Sequence, residues 1–315
     1  MKVLVTGSAG FIGSHITKKL KEENITFVGI DSINDYYDTK LKYARLNHFK
    51  HDFRNIDICN QKSLYKLFIN ERFTHVIHLA AQPGVRNSVH NPQEYMDSNI
   101  VGFWNILDMC NKFNVSKFIF ASSSSVYGDI KSNADGLEPQ PTNLYAATKK
   151  ANEVLAQANS AMNKNMKHIG FRIFNAYGPW GRPDMAYYLF LDKIIKDHPV
   201  TLFNSGNNYR DMTYIDNVAE IFCKSLVLFP DENYDVYNIG TGRLVKTEDL
   251  IHKITTKLKK SATIIYSDSL VEEPLINLAD IRKTIVDFDL NENEIIQIDE
   301  GMNRFIEWYR SFYKL

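Results

Sequence analysis

Lys2-Val3-Leu4-Val5-Thr6-Gly7-Ser8-Ala9-Gly10-Phe11-Ile12-Gly13-Ser14-His15, "KVLVTGSAGFIGSH", opens the chain. A short β-branched run ends at a glycine, two more glycines follow at three-residue spacing, and an apolar periodic segment comes next. The order predicts a strand, a tight loop and a helix. Gly7, Gly10 and Gly13 let the backbone approach a pyrophosphate closely. The helix start, at Phe11 and Ile12, adds N–H groups and the positive end of a dipole. Glycines also collect in ordinary turns, so the strand–loop–helix setting gives the triplet its weight. Asp31, at the end of the next apolar run, adds to it. An acid there accepts ribose hydroxyls and repels a 2′-phosphate, which favours NAD over NADP. Asp57, after "FRNI", reads equally as a residue facing the adenine and as a solvated loop acid.

Working outward, strand-like runs recur at 2–6, 26–30, 74–80, 116–122 and 167–174, with helical patterns over 11–22, 62–70, 93–113 and 143–161. This alternation predicts an α/β fold, a doubly wound parallel Rossmann sheet with helices on both faces. Ligands then bind beyond the carboxyl ends of the strands. Past 175 the pattern loosens through the Gly- and Pro-rich "NAYGPWGRPDM", and an Asn/Asp/Glu-rich stretch occupies 287–300. We expect a nucleotide-binding domain over 1–174, to which the chain returns near 212–240. A smaller α/β substrate domain is expected over 175–315.

The 315 residues include 37 Lys plus Arg and 37 Asp plus Glu, so no whole-chain field draws nucleic acid or a membrane surface. An anionic ligand must be met by local arginines. Cys59, Cys110 and Cys223 form no CxxC pair, so neither a disulfide framework nor a metal site is expected. His75 and His78 stand at an odd offset in a strand-like run and should face opposite ways. The N-terminus runs straight into the glycine pattern and does not resemble a signal peptide. No apolar run approaches the roughly 20 residues of a membrane span, so a cytoplasmic protein is expected.

Ser122-Ser123-Ser124-Ser125-Val126-Tyr127-Gly128 puts four hydroxyls at the end of a strand. Downstream, Tyr145-Ala146-Ala147-Thr148-Lys149 is a YxxxK pair, preceded by Thr142 and Asn143 as candidate helix caps. The i,i+4 offset places phenol and ammonium on one helix face. The ammonium should favour the phenolate, drawing a pKa of about 10 toward neutrality and making Tyr145 a base.

Together, "TGSAGFIGSH", "HLAAQ", "SSSSVYG", "YAATKKANE" and "YRDMTYID" resemble the extended short-chain dehydrogenase/reductases along nearly the whole chain. Within that group "GIDSINDYYD", "AAQPGVRNSVHNPQEYMDSNIVGF" and "YGPWGRPDM" are most similar to the UDP-glucuronate 4-epimerases. The resemblance implies a homodimer holding NAD tightly and acting on a UDP-sugar. Tyr145 would take the 4-OH proton, and a 4-keto sugar would form, turn over and be reduced on its other face. Lys149 would bind the nicotinamide ribose. Asn34, Ile58, Leu79, Ala80, Ala81 and Asn99 would join the glycine loop, Asp31 and Asp57 around the cofactor. Ser123 would hold the 4-oxygen, and Ser122 and Ser124 the rest of the sugar. Arg86 and Arg182 would meet a C6 carboxylate and Arg210 the diphosphate, both suited to a planar fork. Arg172 reads as a buried structural arginine.

Related dehydratases and decarboxylases carry an acid in the two positions before VYG, where this chain has Ser124 and Ser125. The resemblance therefore implies an enzyme that stops at the ketone and returns the hydride. Two features depart from the family pattern. Asn175 stands where threonine is usual in UDP-glucuronate epimerases and asparagine in many others, and Glu272-Glu273 replaces Gly-Asp. A 4-epimerase of uncharged UDP-sugars is the nearest rival. A UDP-glucuronate decarboxylase and a non-catalytic NAD-sensing module are further ones.

Overall fold

The computed structural model describes residues 1–128, 138–267 and 275–315. Glu272-Glu273 lies outside the described residues. The first half alternates strands and helices. They are β1 (Lys2–Thr6), α1 (Phe11–Glu22), β2 (Thr26–Asp31), α2 (Thr39–Phe49), β3 (Phe53–Asn55), α3 (Gln61–Glu71) and β4 (His75–His78). Next come α4 (Val85–His90), α5 (Pro92–Tyr95), a π-helical turn over Met96–Gly102, α6 (Phe103–Lys112), β5 (Lys117–Ser123), α7 (Leu144–Met162) and β6 (Lys167–Ile173). The second half runs through β7 (Asn175–Tyr177), α8 (Ala186–Ile195), β8 (Val200–Phe203), β9 (Tyr209–Tyr214), α9 (Ile215–Lys224) and β10 (Tyr234–Ile239). It ends with β11 (Leu244–Lys246), α10 (Thr247–Leu258), β12 (Ile264–Ser267), β13 (Ile276–Asn277), α11 (Arg282–Asp287) and α12 (Ile298–Tyr313).

The main sheet has seven parallel strands in the order β10-β6-β5-β4-β1-β2-β3. The order reverses between β1 and β4, and a doubly wound sheet opens a crevice at that point. Strand alternation fills both faces. Leu4 joins Val28, Val76 and Phe118 under α3 and α6, while Val3 and Val5 join Ile77, Ile119 and Ile169 under α1 and α9. Burial on both faces is what a parallel sheet requires. β9 centres a second sheet, paired antiparallel with β11 and parallel with β7 and β13. β8 and β12 form a separate parallel pair.

The structure departs from the sequence reading at several elements, α4 and β10 among them. α2 and β3 have no counterpart among the predicted elements. α2 mixes Lys, Arg, Asn and His through its turns, and β3 is three residues of which only Phe53 is apolar. The single helix expected over 93–113 is broken. Pro92 starts α5, and a π turn joins α5 to α6. Gly102 lies in that turn over Ile58, where a Cβ would fall 2.5 Å from Ile58 Cδ1. His78 is buried against Thr6 Oγ1 (2.8 Å), and His75 meets Thr74 Oγ1 (2.8 Å). Among the described residues no group of His, Cys, Asp and Glu could hold a metal ion, and no helix is long and apolar enough to cross a membrane.

Candidate active site

The crevice at the β1–β4 switch opens into a cleft of about 1050 Å³ that runs from the glycine loop to β9 and β13. At one end Gly7, Gly10, Phe11, Ile12 and Gly13 form the floor. Gly7 has φ +71°, and a Cβ on it would sit 2.8 Å from Ala80 N. A Cβ on Gly13 would sit 2.1 Å from Gly7 O. Glycine is required at both places by backbone packing. No side chain caps α1, so its first N–H groups remain for an anion. Thr6 Oγ1 accepts from Leu79 N and Ala80 N (both 3.1 Å), which stitches the end of β4 to this floor.

Asp31 Oδ2 accepts from Ala9 N (3.2 Å) and Oδ1 from Ile33 N (2.8 Å). These bonds hold the carboxylate at the wall with acceptor capacity left for ribose hydroxyls. Asn34 donates to Gln82 Oε1 (3.1 Å) and receives Lys42 Nζ on both its oxygens. Burial lowers the Lys42 ammonium below its ordinary pKa. Asp57, Ile58, Leu79, Ala80 and Ala81 complete the wall. Asp57 is exposed and accepts from Cys59 N (2.8 Å).

Asn99 does not join them. It sits in the π turn, and its carboxamide accepts from Gln82 N (2.7 Å) and donates to Gln82 O and Thr148 Oγ1 (both 3.1 Å). With the amide so engaged, Asn99 shapes the loop after β4 and lies behind the cleft.

Asn143 caps α7 through Ala146 N (2.9 Å) and aims the first turn of that helix at the end of β5. Tyr145 and Lys149 both line the cleft. Lys149 Nζ donates to Ala121 O (2.8 Å), and burial pulls its pKa down to about 8. The Tyr145 phenol departs from expectation. Burial raises its pKa, while a hydrogen bond from Ser123 and the charge of Arg182 pull it down. The lowering forces come from a strand end and a loop, because the Lys149 ammonium points to a carbonyl of β5.

The four serines divide. Ser123 caps the turn at 124–127 and accepts from Ser125 N (3.2 Å). Ser124 Oγ accepts from Asn277 Nδ2 (3.1 Å). Ser122 borders the cleft, but its hydroxyl donates to buried Glu153 Oε1 (2.6 Å) and is not directed at a sugar. Glu153 is held by Arg172 through Nε (2.9 Å) and Nη2 (2.8 Å), and Arg172 Nη1 reaches Tyr127 Oη (2.9 Å). Arg172 is thus a structural arginine.

At the far end Asn175, Arg86, Arg182 and Arg210 line the cleft. The Arg86 guanidinium lies 4.6 Å from the centre of the Phe203 ring. Arg182 forks onto Asp184 through Nε (3.0 Å) and Nη2, and Tyr36 Oη donates to Asp184 (3.1 Å). Arg210 Nη1 donates to Tyr209 O (3.0 Å) and Leu275 O (3.3 Å). Tyr36, Lys42, Asp184, Phe203 and Asn277 also line the cleft and were not among the residues expected there. Asp184 had a signal, two residues after Arg182 in the Gly- and Pro-rich loop. Asn277 had none, since only the pairing of β13 with β9 brings it in.

The comparisons with known proteins agree with this layout. Residues 3–240 match the NAD dependent epimerase/dehydratase family. The chain is 40% identical to protein CapI of Staphylococcus aureus, with 100% of each covered. It is 36% identical to UDP-glucuronate 4-epimerase 4 of Arabidopsis thaliana, over 99% of this chain and 76% of that one. Among solved structures, the UDP-glucuronic acid 4-epimerase of Bacillus cereus, in complex with UDP-glucuronic acid and NAD, matches at a TM-score of 0.91 and 32% identity. That match covers 99% of this chain and 100% of the other. With a glycine floor that only backbone can form and a tyrosine–lysine pair facing it across the switch point, the chain belongs to the NAD dependent epimerase/dehydratase family.

Proposed function

We propose that the chain interconverts UDP-glucuronate and UDP-galacturonate by inverting C4 of the sugar. The glycine floor, the uncapped α1 and Asp31 would hold NAD, which when bound accepts the C4 hydride and gives it back. Tyr145 takes the 4-OH proton as the C–H bond at C4 breaks, leaving a ketone. Once the sugar has turned over, C4 regains its hydride on the other face and Tyr145 returns the proton to the oxygen. Ser123 orients the 4-oxygen, and Arg182 offsets the effect of burial on the phenol.

Arg86 and Arg182 at the far end of the cleft carry the acid-sugar reading, and the carboxylates limit the chemistry to C4. The cleft-lining carboxylates among the described residues are Asp31, Asp57 and Asp184. The first two stand at the cofactor end and the third is paired with Arg182. Hydroxyls alone stand at Ser123, Ser124 and Ser125, so no base is placed there for chemistry at C5. Arg86 and Arg182 supply positive charge for a C6 carboxylate, which keeps that group ionised and the keto sugar intact.

Asn175 in the cleft favours the second reading, an epimerase of uncharged UDP-sugars, because an amide suits a neutral 6-OH. Product analysis decides between them, with UDP-glucuronate, UDP-glucose and UDP-N-acetylglucosamine incubated side by side. UDP-galacturonate should be the dominant product. Preference for an uncharged sugar would remove the carboxylate role from Arg86 and Arg182, and a pentose product would overturn the reading of the serines.

We further propose a homodimer. Val101, Trp104 and Val154 are large apolar residues exposed on the π turn, α6 and α7, a face suited to a two-fold helix contact. Light scattering showing only monomer at micromolar concentration would refute it.

A further inference from the structure

Arg45 on α2 is fully buried, and its hydrogen bonds go to neutral oxygens. Nε and Nη2 donate to Trp180 O (2.9 and 2.7 Å), and Nη2 also to Gly181 O (3.1 Å). Nη1 donates to Ala9 O (3.1 Å) and Tyr37 Oη (2.5 Å). The acceptors belong to different ends of the cleft. Ala9 lies inside the glycine loop, and its N–H is already taken by Asp31. Trp180 and Gly181 stand directly before Arg182.

The second loop needs holding. Trp180 has φ +60°, a region costly for a bulky residue unless its surroundings fix it. Its ring packs 4.8 Å from His48 of α2 and 5.1 Å from Phe312 of α12, and its carbonyl is taken twice by Arg45. A guanidinium has a rigid planar fork of five N–H donors. Spread over both loops, that fork fixes their separation. A lysine ammonium keeps the charge but cannot reach both sides in one plane.

We infer that Arg45 is a positioning residue that locks the cofactor loop to the loop carrying Arg182, so that the seat of the nicotinamide cofactor and the reach of Arg182 are set by one side chain. The Arg182 half rests on the acid-sugar reading, and the cofactor half does not.

The test is Arg45→Lys in the full holoenzyme. Bound NAD should be lost on dialysis faster than from wild type. KM for UDP-glucuronate should rise about ten- to a hundred-fold, with kcat falling less, as expected when a remote change misplaces a contact group. A residue needed only for folding would lower Tm and leave cofactor retention and KM of the folded fraction unchanged, and that result overturns the proposal. If Arg45→Lys does not fold, Tyr37→Phe takes its place. It removes one acceptor from Nη1, and both readouts should move the same way by a smaller factor. Both unchanged would again overturn the proposal. Faster NAD loss in an enzyme whose wild type prefers an uncharged sugar would sink the acid-sugar reading and leave the lock between the loops standing.

Discussion

At the cofactor end of the cleft the wall is mostly backbone. Gly7, Gly13, Leu79 and Ala80 pack main chain on main chain, and Thr6 and Asp31 tie those segments together. At the sugar end the wall is side chains on loops and strand ends, and several are already engaged within the protein. Arg182 holds Asp184, Arg86 lies over Phe203, and Ser122 is bound to Glu153. Geometry that only one residue type can satisfy makes the first end all-or-none. The second end is graded, because a ligand must share or displace partners that the protein has provided.

The largest effect should come where the ends meet. Tyr145→Phe removes one hydroxyl from the phenol and no packing. Turnover should fall by roughly 10²–10⁴-fold, the scale of a lost general base, while NAD content and sugar-nucleotide affinity stay near wild type. Kinetics with cofactor extraction would check this. Loss of NAD in this variant would show that the ends are not separable at Tyr145.

The same contrast governs what could be read from the sequence. The glycine floor was legible because φ +71° at Gly7 and the 2.1 Å clearance at Gly13 leave one choice of residue. The seven-strand sheet was legible from its apolar runs except at β3 and β10. β3 is short, and β10 (Tyr234–Ile239) carries polar residues at Asp235 and Asn238. The sugar-end residues were named, but their partners were not. Glu153 reaches Ser122 only because α7 lies along β5, and no local spacing encodes that crossing. Asn99, which the resemblance sets beside the cofactor, turns its amide to Gln82 and Thr148 from within a π turn, and a likeness of motifs does not encode which way that turn faces.

Arg182→Met should give the next effect. A charge-assisted contact is worth about 1.5–3 kcal/mol, so kcat/KM for UDP-glucuronate should drop roughly ten- to a hundred-fold. The variant also leaves the Asp184 charge without its ion-pair partner, facing the acid sugar. Arg182→Met with Asp184→Asn should therefore recover part of the loss. Arg182 also lowers the Tyr145 pKa, so its removal should shift the acid limb of the pH–rate profile to higher pH for every sugar. An unchanged limb would break the link from Arg182 to the phenol, and an equal loss for UDP-glucose at its own pH optimum would break its assignment to the carboxylate.

Glu153→Gln should affect turnover least, although it strikes the buried partner of Ser122, the neighbour of Ser123. Burial alone would raise the Glu153 carboxyl, but Arg172, Ser122 and Lys150 outweigh it and hold the pKa below its ordinary value. The Glu153 side chain is 1% exposed and that of Arg172 is 14%, so water screens the pair little. Removing one partner of such a pair costs about 3–5 kcal/mol, so Tm should fall clearly while kcat at a safe temperature changes little. The sign with pH follows from linkage. A carboxyl with a depressed folded pKa contributes stability that is present above its unfolded value of about 4.3 and is lost as pH falls through the folded value. The amide does not titrate, so the stability gap between wild type and variant should be constant near neutrality and narrow below about pH 4.3. Denaturant titrations of both proteins across that range would measure the gap. A widening gap at low pH would mean that Glu153 is not the charged partner of Arg172. A large loss of kcat at neutral pH would move Ser122 back among the groups that hold the sugar.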